Sequence, residues 1–347
     1  MQNDIYFRDR LNTKPGEIPA SISFSPSCYE TLGVDLIAKI VTENKDIFRN
    51  HEAIIQAAKA KEYNPWQIAG KEYADSWGVI WRSSVNGNTG TVIKPSIEKW
   101  EDLDTFAIPN PEFQNGWGEM DWPRTRREFA NNKKAKQGGL RHGFLFLTLS
   151  YIRGFENLTY DMYDDEPKLN KLIDIVYQFN KFFIDRYLEL GADILSFPED
   201  LGAQNGPLIA PEKFRQYMIP VYKKLMRSVK DRNRIIYMHS DGYILDLIDD
   251  LIDAGVDIIN PQDLVNGIDN IKEQMKGRVG IDLDIDRQKI TVFGSEQDID
   301  DHIKEAVVKL GDNDRGFGMH HAVYTETPVK NIYALANAFR KYKNYYA

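Results

Sequence analysis

The sequence predicts a single α/β domain with the architecture of a (β/α)8 TIM barrel, and three observations support this prediction. Apolar, strand-like segments alternate with segments of helical periodicity along the 347 residues, as expected for repeated βα units. The strands are apolar almost throughout, which is typical of a parallel sheet covered by helices. Seven such strands can be read and no GxGxxG motif accompanies them, which favours a closed barrel over a doubly wound sheet.

The predicted strands lie in seven segments, which in chain order read IPASISFSP, GFLFLTLSYIRGFENL, ADILSFPED, RIIYMHSDG, VDIINPQ, RVGIDLDID and GFGMHHAVY. Helical periodicity is clearest in LNKLIDIVYQFNKFFIDRYLELG, where Leu172, Ile175, Phe179 and Phe182 share one face. Gly191 follows as a glycine C-cap. The alternation of these elements is the pattern of a barrel with its helices outside.

The region 61–140 differs from the rest because it is rich in Trp, Asn, Gly and Pro. Its segment VIWRSSVNGNTGTVIKP predicts a β-hairpin that turns at Asn86-Gly87-Asn88. No repeat, low-complexity tract or linker separates this region from the barrel strands. Residues 1–347 are therefore predicted to form one domain with N-terminal helical and hairpin decorations at the barrel mouth.

Composition excludes several classes of function. Lysine and arginine total 44 against 52 acidic residues, a net charge of −8, whereas binders of nucleic acid or anionic membranes rely on excess positive charge. Cys28 is the single cysteine, so neither an internal disulfide nor a cysteine-rich zinc site can form. The N-terminus lacks the features of a signal peptide, and no apolar run approaches the roughly 20 residues of a spanning helix. We expect a soluble, cytoplasmic protein with no nucleic-acid or membrane partner.

Polar residues follow several strands, at the barrel end where catalytic groups lie in this fold. His239 and Asp241 are two residues apart, so in an extended strand their side chains point to one face. His320 and His321 are neighbours and point opposite ways, so only one of them faces the barrel interior. The remaining strand-end candidates are Glu199 and Asp200, Gln204 and Asn205 in the following loop, and Asn260 and Gln262.

Each of these positions has a purely structural alternative. An acidic pair after a strand also serves as a helix N-cap or a loop bridge, and a strand-end histidine or Asn-Pro-Gln can simply terminate its strand. His51 and His302 lie in polar helical stretches and are predicted to be solvated. His142 precedes GFLFL, which places it at the start of a predicted strand, the barrel end that serves stability.

The order of ADILSFPEDLGAQNGPLIAPEKF, YMHSDGYILDLIDDLIDAGVDIINPQ, GIDLDID and HHAVYTETPVKNIYALANAF resembles the uroporphyrinogen decarboxylase superfamily. The resemblance extends over 140–345, and the first half of the chain fits more loosely. It implies a (β/α)8 barrel with a deep site at its C-terminal mouth.

The superfamily contains decarboxylases and methyltransferases. Its decarboxylases hold a tetrapyrrole with many carboxylates and carry an N-terminal arginine motif of the form RQAGR. The equivalent strand here reads ISFSPSCYETLG and has no arginine, although carboxylate-rich ligands need arginine or lysine in the pocket. Arg141 and Arg153 are the remaining candidates for anion contacts. This departure counts against the decarboxylase reaction.

The methyltransferase branch transfers methyl groups to or from the cobalt of a separate corrinoid protein. Its thiol-methylating members bind zinc through a His-x-Cys pair and a later cysteine, where this chain has His239-Ser240-Asp241 and His321. Both cysteine positions are therefore lost. A set of His239, Asp241 and His321 with Glu199 is the candidate metal site; its ligands are harder than thiolates, and zinc is one ion they can bind. The alternative is catalysis without a metal, with His239 or Glu199 as the proton donor.

The resemblance thus implies a methyltransferase that moves a methyl group from a small methoxylated or methylamine-type donor to corrinoid (cobalamin) on a partner protein. A carboxy-lyase acting on a tetrapyrrole or small carboxylate is the first alternative, and a non-enzymatic binding module is the second. A homodimer is expected from the resemblance alone. The predicted catalytic residues are His239, Glu199 and Asp241, and the predicted substrate-binding residues are Asn260, Gln262, Gln204, Tyr151 and Trp81.

Overall fold

The computed structural model describes residues 17–48, 51–311 and 316–346. Its strands are β1 (Ala20–Phe24), β2 (Glu72–Ala74), β3 (Ile80–Arg82), β4 (Thr91–Lys94), β5 (Gln137–Gly139), β6 (Ile194–Pro198), β7 (Ile235–Ser240), β8 (Ile258–Pro261), β9 (Gly280–Asp284) and β10 (Phe317–Val323).

Helices connect and cover these strands. They are α1 (Cys28–Thr31), α2 (Val34–Glu43), α3 (His51–Ala60), α4 (Trp122–Asn131), α5 (Phe146–Arg153), α6 (Phe155–Tyr163), α7 (Pro167–Glu189), α8 (Pro211–Lys213), α9 (Ile219–Lys230), α10 (Ile248–Ala254), α11 (Asp263–Asn266), α12 (Ile268–Met275), α13 (Ile290–Phe293), α14 (Glu296–Leu310) and α15 (Val329–Tyr342). The predicted amphipathic helix is α7, whose Leu172 and Phe179 are buried. Among the described residues, no helix combines the length and the apolar character needed to cross a membrane.

A curled parallel sheet forms the centre of the fold. Within the described residues it has seven strands in the order β1-β10-β9-β8-β7-β6-β5, and the pairings in this sheet are parallel. The first residues of β6, β7 and β8, which are Ile194, Ile235 and Ile258, pack with Ala135 in an apolar cluster at the opposite end from the mouth. The predicted α/β barrel class is confirmed, and the carboxyl ends of its strands converge at one mouth.

The predicted hairpin is confirmed as well. Strands β3 and β4 pair antiparallel, and β2 extends them to a three-stranded sheet. Asp75 beside this sheet accepts a hydrogen bond from Arg141 Nη2 at 3.0 Å. Arg141 Nη1 donates to the Gly116 carbonyl at 2.7 Å, so this buried pair ties the decoration to the barrel.

One predicted strand is wrong. The segment GFLFLTLSYIRGFENL forms helices α5 and α6, and the barrel strand lies just before it, as β5. All residues of α5 except Tyr151 are buried, so its sequence shows no polar face that would separate a buried helix from a buried strand. His142 therefore follows the end of β5 and lies at the mouth, whereas the sequence predicted it at the opposite end of the barrel.

Candidate active site

A cavity of about 500 Å³ opens at the carboxyl ends of β6 to β10. Every second side chain of a strand contributes to its wall, because successive side chains of a strand point to opposite faces. On β7 and just beyond it, Tyr237, His239 and Asp241 face the cavity, and on β10 His320 does. Ionisable side chains dominate the lining, chiefly His142, Asp200, His239, Asp241, Asp284 and Arg287.

His239 is held in one orientation by its neighbour on β8. The strand register places His239 beside Asn260, and His239 Nδ1 lies 2.7 Å from Asn260 Oδ1. The Asn260 amide nitrogen donates to the Asp282 carbonyl, so its oxygen is left as the acceptor and Nδ1 must carry the proton. His239 Nε2 consequently points toward the mouth, 3.3 Å from Asp241 Oδ1 and 3.8 Å from Asp200 Oδ1.

The carboxylates around His239 set its protonation state. Burial by itself lowers the pKa of the His239 imidazole, but the hydrogen bond to Asp241 and the charges of Asp241, Asp284 and Asp200 outweigh it and raise the pKa to about 9. At neutral pH both ring nitrogens therefore carry protons. The Nε2–H beside Asp241 is therefore a proton donor that stays protonated at neutral pH.

Arg287 ties the two innermost carboxylates together. Its Nη2 lies 2.7 Å from both oxygens of Asp241, and its Nη1 lies 2.5 Å from Asp284 Oδ2. Burial acts to raise the pKa of Asp241, but His239 and Arg287 hold it well below its usual range. Burial raises the pKa of the Asp284 carboxyl to about 7, with Arg287 acting in the opposite direction. Asp241 is thus a fixed anion between two cations.

Sequence reasoning missed Arg287, Asp284 and His142 as site residues. Arg287 lies in the segment GIDLDIDR, three residues beyond the end of β9. A charged residue so close to the end of an apolar strand was the signal that could have identified it. Asp284 is the last residue of that strand. His142 Nε2 lies 3.2 Å from Asp200 Oδ1 and its ring stands 6.0 Å from that of His239.

The glycine after Asp241 is required by a close approach of two loops. Gly242 has φ +79°, and a Cβ there would meet the Gly202 carbonyl oxygen at 2.0 Å. Gln262 Oε1 accepts a hydrogen bond from the Gly242 N–H at 2.8 Å. The loops after β6 and β7 therefore press together beside the cavity, and only glycine tolerates both the backbone conformation and the contact.

The last strand turns the two adjacent histidines to opposite faces, as predicted, and it is His320 that lines the cavity. His320 Nδ1 lies 3.1 Å from Ser21 Oγ. His321, the predicted metal ligand, points away from the cavity, and its Nδ1 lies 3.1 Å from the Ile285 carbonyl. Burial lowers the pKa of His321 to about 4, so it is neutral and Nδ1 is the donor in that contact.

Glu199, a predicted catalytic residue, serves as a buried helix cap. Its two oxygens accept the backbone N–H groups of Leu145, Phe146 and Leu147 at 3.0–3.1 Å and the Tyr222 hydroxyl at 3.0 Å. Burial raises the pKa of Glu199 to about 7 although these hydrogen bonds act to lower it. This is the structural alternative for a carboxylate after a strand, since the N–H groups at the start of α5 would otherwise lack acceptors.

The predicted substrate-binding residues divide into two groups. Asn260 lines the cavity, and Gln204 and Gln262 line an adjoining pocket that shares Asp284 and Arg287 with it. Trp81 is buried in the decoration, where its Nε1 donates to Asp75 at 3.0 Å. Tyr151 packs edge-on against Trp81 at 4.6 Å between ring centroids. The structure thus brings the amide side chains to the mouth and places the aromatic pair in the interface between hairpin and barrel.

The two arginines considered as anion contacts have internal partners. Arg141 pairs with Asp75 and stacks on Trp117 at 3.9 Å. Arg153 donates to Asp161 at 2.8 Å and stacks on Trp100. Both guanidinium groups are therefore used to hold the decoration in place.

The predicted metal set is only partly assembled, because His239 and Asp241 are adjacent while Glu199 and His321 are committed elsewhere. Among the residues that the structure describes, two other groups of three have their ligand atoms within 4.8 Å of one another, namely His239, Asp241 and Asp284, and His142, Asp200 and His239. In the first, the Arg287 guanidinium already binds both carboxylates.

In the second group the ligand atoms already have protein partners. The Asp241 N–H donates to Asp200 Oδ1 at 3.2 Å, and His239 Nε2 lies closer to Asp241 than to Asp200. Metal ligation requires a bare imidazole nitrogen. A metal ion at this group would have to displace these hydrogen bonds and the proton on Nε2, and the zinc site stays a prediction.

Comparison with known proteins gives three kinds of match. The family model described as Uroporphyrinogen decarboxylase (URO-D) matches residues 132–342. Uroporphyrinogen decarboxylase of Synechocystis sp. is 25% identical over 255 residues, which are 70% of this chain and 69% of that protein. Uroporphyrinogen decarboxylase of Crocosphaera subtropica is 22% identical over 259 residues, covering 70% and 68%.

Among solved structures, a methyltransferase from Methanosarcina mazei superimposes with a TM-score of 0.65. The superposition covers 98% of both chains at 16% sequence identity. At that identity the likeness concerns the fold, which extends over the N-terminal decoration as well as the barrel.

Proposed function

The chain belongs to the uroporphyrinogen decarboxylase family, and from this premise we propose that it is a methyltransferase that moves a methyl group from a small methoxylated or methylamine-type donor to the cobalt of a corrinoid protein. The observation that carries the proposal is the orientation of His239. Asn260 fixes Nδ1 as a donor, so Nε2 presents its proton to a cavity of about 500 Å³, a size suited to a small molecule.

Cleavage of a methyl ether needs a proton on the leaving oxygen, because an alkoxide or phenoxide is a poor leaving group. His239 Nε2 donates that proton as the methyl carbon–oxygen bond breaks, and the product leaves as the alcohol or phenol. In a methylamine-type donor the leaving nitrogen takes the place of the oxygen. The corrinoid of the partner protein, when bound, would supply reduced cobalt as the nucleophile that receives the methyl group.

Asp241 and Arg287 keep His239 ready for this step. Asp241 accepts from Arg287 through both oxygens, which holds its carboxylate beside Nε2. The negative charge of Asp241 stabilises the imidazolium before the transfer, and bulk water returns the proton through the open mouth afterwards. Phe293, 83% exposed, lines a further pocket that shares Asp241 and Arg287 with the cavity.

The charge of the mouth supports a methyl donor over a polycarboxylate. Three carboxylates line the cavity, from Asp200, Asp241 and Asp284, and the guanidinium of Arg287 is already shared by two of them. Among the described lining residues the one guanidinium is thus already paired, so a tetrapyrrole with many carboxylates would lack the arginine or lysine partners it needs. The carboxy-lyase alternative is supported by the names of the two curated relatives, so the decisive experiment includes it.

The experiment mixes the protein anaerobically with cob(I)alamin and a panel of methoxyaromatics, methylamines and methanol, and follows the absorbance change to methylcob(III)alamin. We expect conversion with one donor class, and a loss of about a hundredfold or more in His239→Asn, the scale of a missing proton donor. A parallel arm measures release of CO2 from a porphyrinogen polycarboxylate. Release of CO2 without methyl transfer would replace the proposal by the carboxy-lyase reaction.

A further inference from the structure

We infer that the buried pair His302–Asp263, outside the cavity, is a positioning device that holds the loop presenting Arg287 to the mouth. The inference rests on the proposed function, because it concerns how His239 and Asp241 are kept in place for proton transfer. His302 was predicted to be solvated, and the structure buries it on α14 against Asp263 at the start of α11. Neither residue takes part in the proton transfer.

The pair makes one continuous set of contacts to the Arg287 loop. His302 Nε2 lies 2.6 Å from Asp263 Oδ2. The same oxygen accepts the backbone N–H of Asp286 at 3.1 Å, and Asp263 Oδ1 accepts the N–H of Leu264 at 2.5 Å. Asp263 is therefore fixed from two sides, and it binds the backbone of Asp286, the residue immediately before Arg287.

Asp286 in turn holds the rest of the loop through hydrogen bonds to the residues that follow Arg287. Its Oδ2 accepts the N–H groups of Lys289 at 2.7 Å and Ile290 at 2.6 Å, and its carbonyl accepts the Thr291 hydroxyl at 2.7 Å. The turn carrying Arg287 is closed by these bonds and continues into α13. A shift of the Asp286 backbone would thus move the whole turn.

A second buried histidine holds the loop from the other side. His321 Nδ1 donates to the carbonyl of Ile285 at 3.1 Å, and the Ile285 N–H donates to the His320 carbonyl at 2.8 Å. Ile285 is thereby anchored to β10, and the next residue, Asp286, is anchored to the Asp263–His302 pair. This arrangement explains why two histidines that the proton transfer does not use are buried behind the mouth.

Removing the donor of His302 should loosen Asp263 and let the Arg287 guanidinium move relative to Asp241. Displacements of about 1 Å in catalytic groups lower rates by about a hundredfold. We expect His302→Leu to lower kcat for methyl transfer by about tenfold or more, with the KM for the methyl donor changed less than about threefold, since the loop acts on the proton donor. His302→Gln, whose amide can still donate to Asp263, should recover most of the loss.

The control is Val176→Ala, a cavity-forming change at a fully buried position of α7, which lowers stability without touching the Arg287 loop. A second readout needs no turnover: the ring resonances of the six histidines are recorded by NMR, and that of His239 is assigned by its loss in His239→Asn. We expect the His239 resonance to move in His302→Leu, to return in His302→Gln and to stay in place in Val176→Ala.

A folded His302→Leu protein with wild-type kcat and an unmoved His239 resonance would overturn the inference. Equal losses of kcat in His302→Leu and Val176→Ala would also overturn it, since the effect would then be general destabilisation. If the wild type transfers no methyl group, the proposed function fails, while the NMR comparison still decides whether His302 positions the mouth.

Discussion

Replacing Asp241 with Asn should shift the pH range over which the protein transfers methyl groups. Asp241 provides the largest contributions that raise the pKa of His239, by its hydrogen bond and by its charge. The rise from 6.5 to about 9 corresponds to about 3 kcal/mol of preference for the protonated ring. Without Asp241, burial is left as the largest influence and the pKa falls to its ordinary value or lower.

The size of the effect follows from the protonated fraction. At pH 8 a group of pKa about 9 is about nine-tenths protonated, whereas one of pKa 6.5 is protonated in about 3% of molecules. Asp241→Asn should therefore lose about thirtyfold in kcat at pH 8 and less than about twofold at pH 6. The assay is the cob(I)alamin conversion, run across this pH range with the cognate donor in excess.

Asp200→Asn is the matched control, because Asp200 lies 3.8 Å from His239 Nε2 and contributes least among the carboxylates that raise its pKa. The alkaline limb of the pH profile of kcat should move much less in Asp200→Asn than in Asp241→Asn. Equal losses of kcat at pH 6 and pH 8 in Asp241→Asn would refute the reasoning, since Asp241 would then act other than through the His239 proton.

Four further outcomes are expected. Wild-type stability in chemical denaturation should fall by up to about 3 kcal/mol as pH rises from 6.5 through 9, because folded His239 retains a proton that the unfolded chain has lost; a flat profile would contradict the raised pKa. Glu199→Gln should lower the free energy of unfolding by about 2–3 kcal/mol, because an amide donor then faces N–H groups, and should lower kcat far less than His239→Asn. Gly242→Ala should cost at least about 2 kcal/mol through its positive φ and the clash with Gly202, and an unchanged melting temperature would contradict the close loop contact. Dialysis against a chelator should leave methyl transfer unchanged, and a loss restored by zinc would reinstate the predicted metal.

Local sequence patterns were enough to predict the hairpin and six of the seven barrel strands in the described part of the chain. They succeeded because a buried parallel strand is a short apolar run bounded by turn residues. The exception was the segment 143–158, where α5 is buried on nearly every side. An element surrounded by protein carries no polar face, so its sequence does not distinguish a helix from a strand. In the structure Glu199, distant in sequence, accepts the N–H groups at the start of this helix.

The sequence by itself determined the barrel class, the mouth as the place of the polar residues, and the pairing of His239 with Asp241, because period-two alternation puts residues two apart on one face of a strand. Only the tertiary structure decided the role of each charged group. Arg287 joins Asp241 to Asp284 across 46 and 3 residues of chain, and Asp263 meets His302 across 39. Such contacts depend on how the loops after different strands fold against one another. The pKa of a buried group depends on its neighbours in space, and the order of residues along the chain does not specify them.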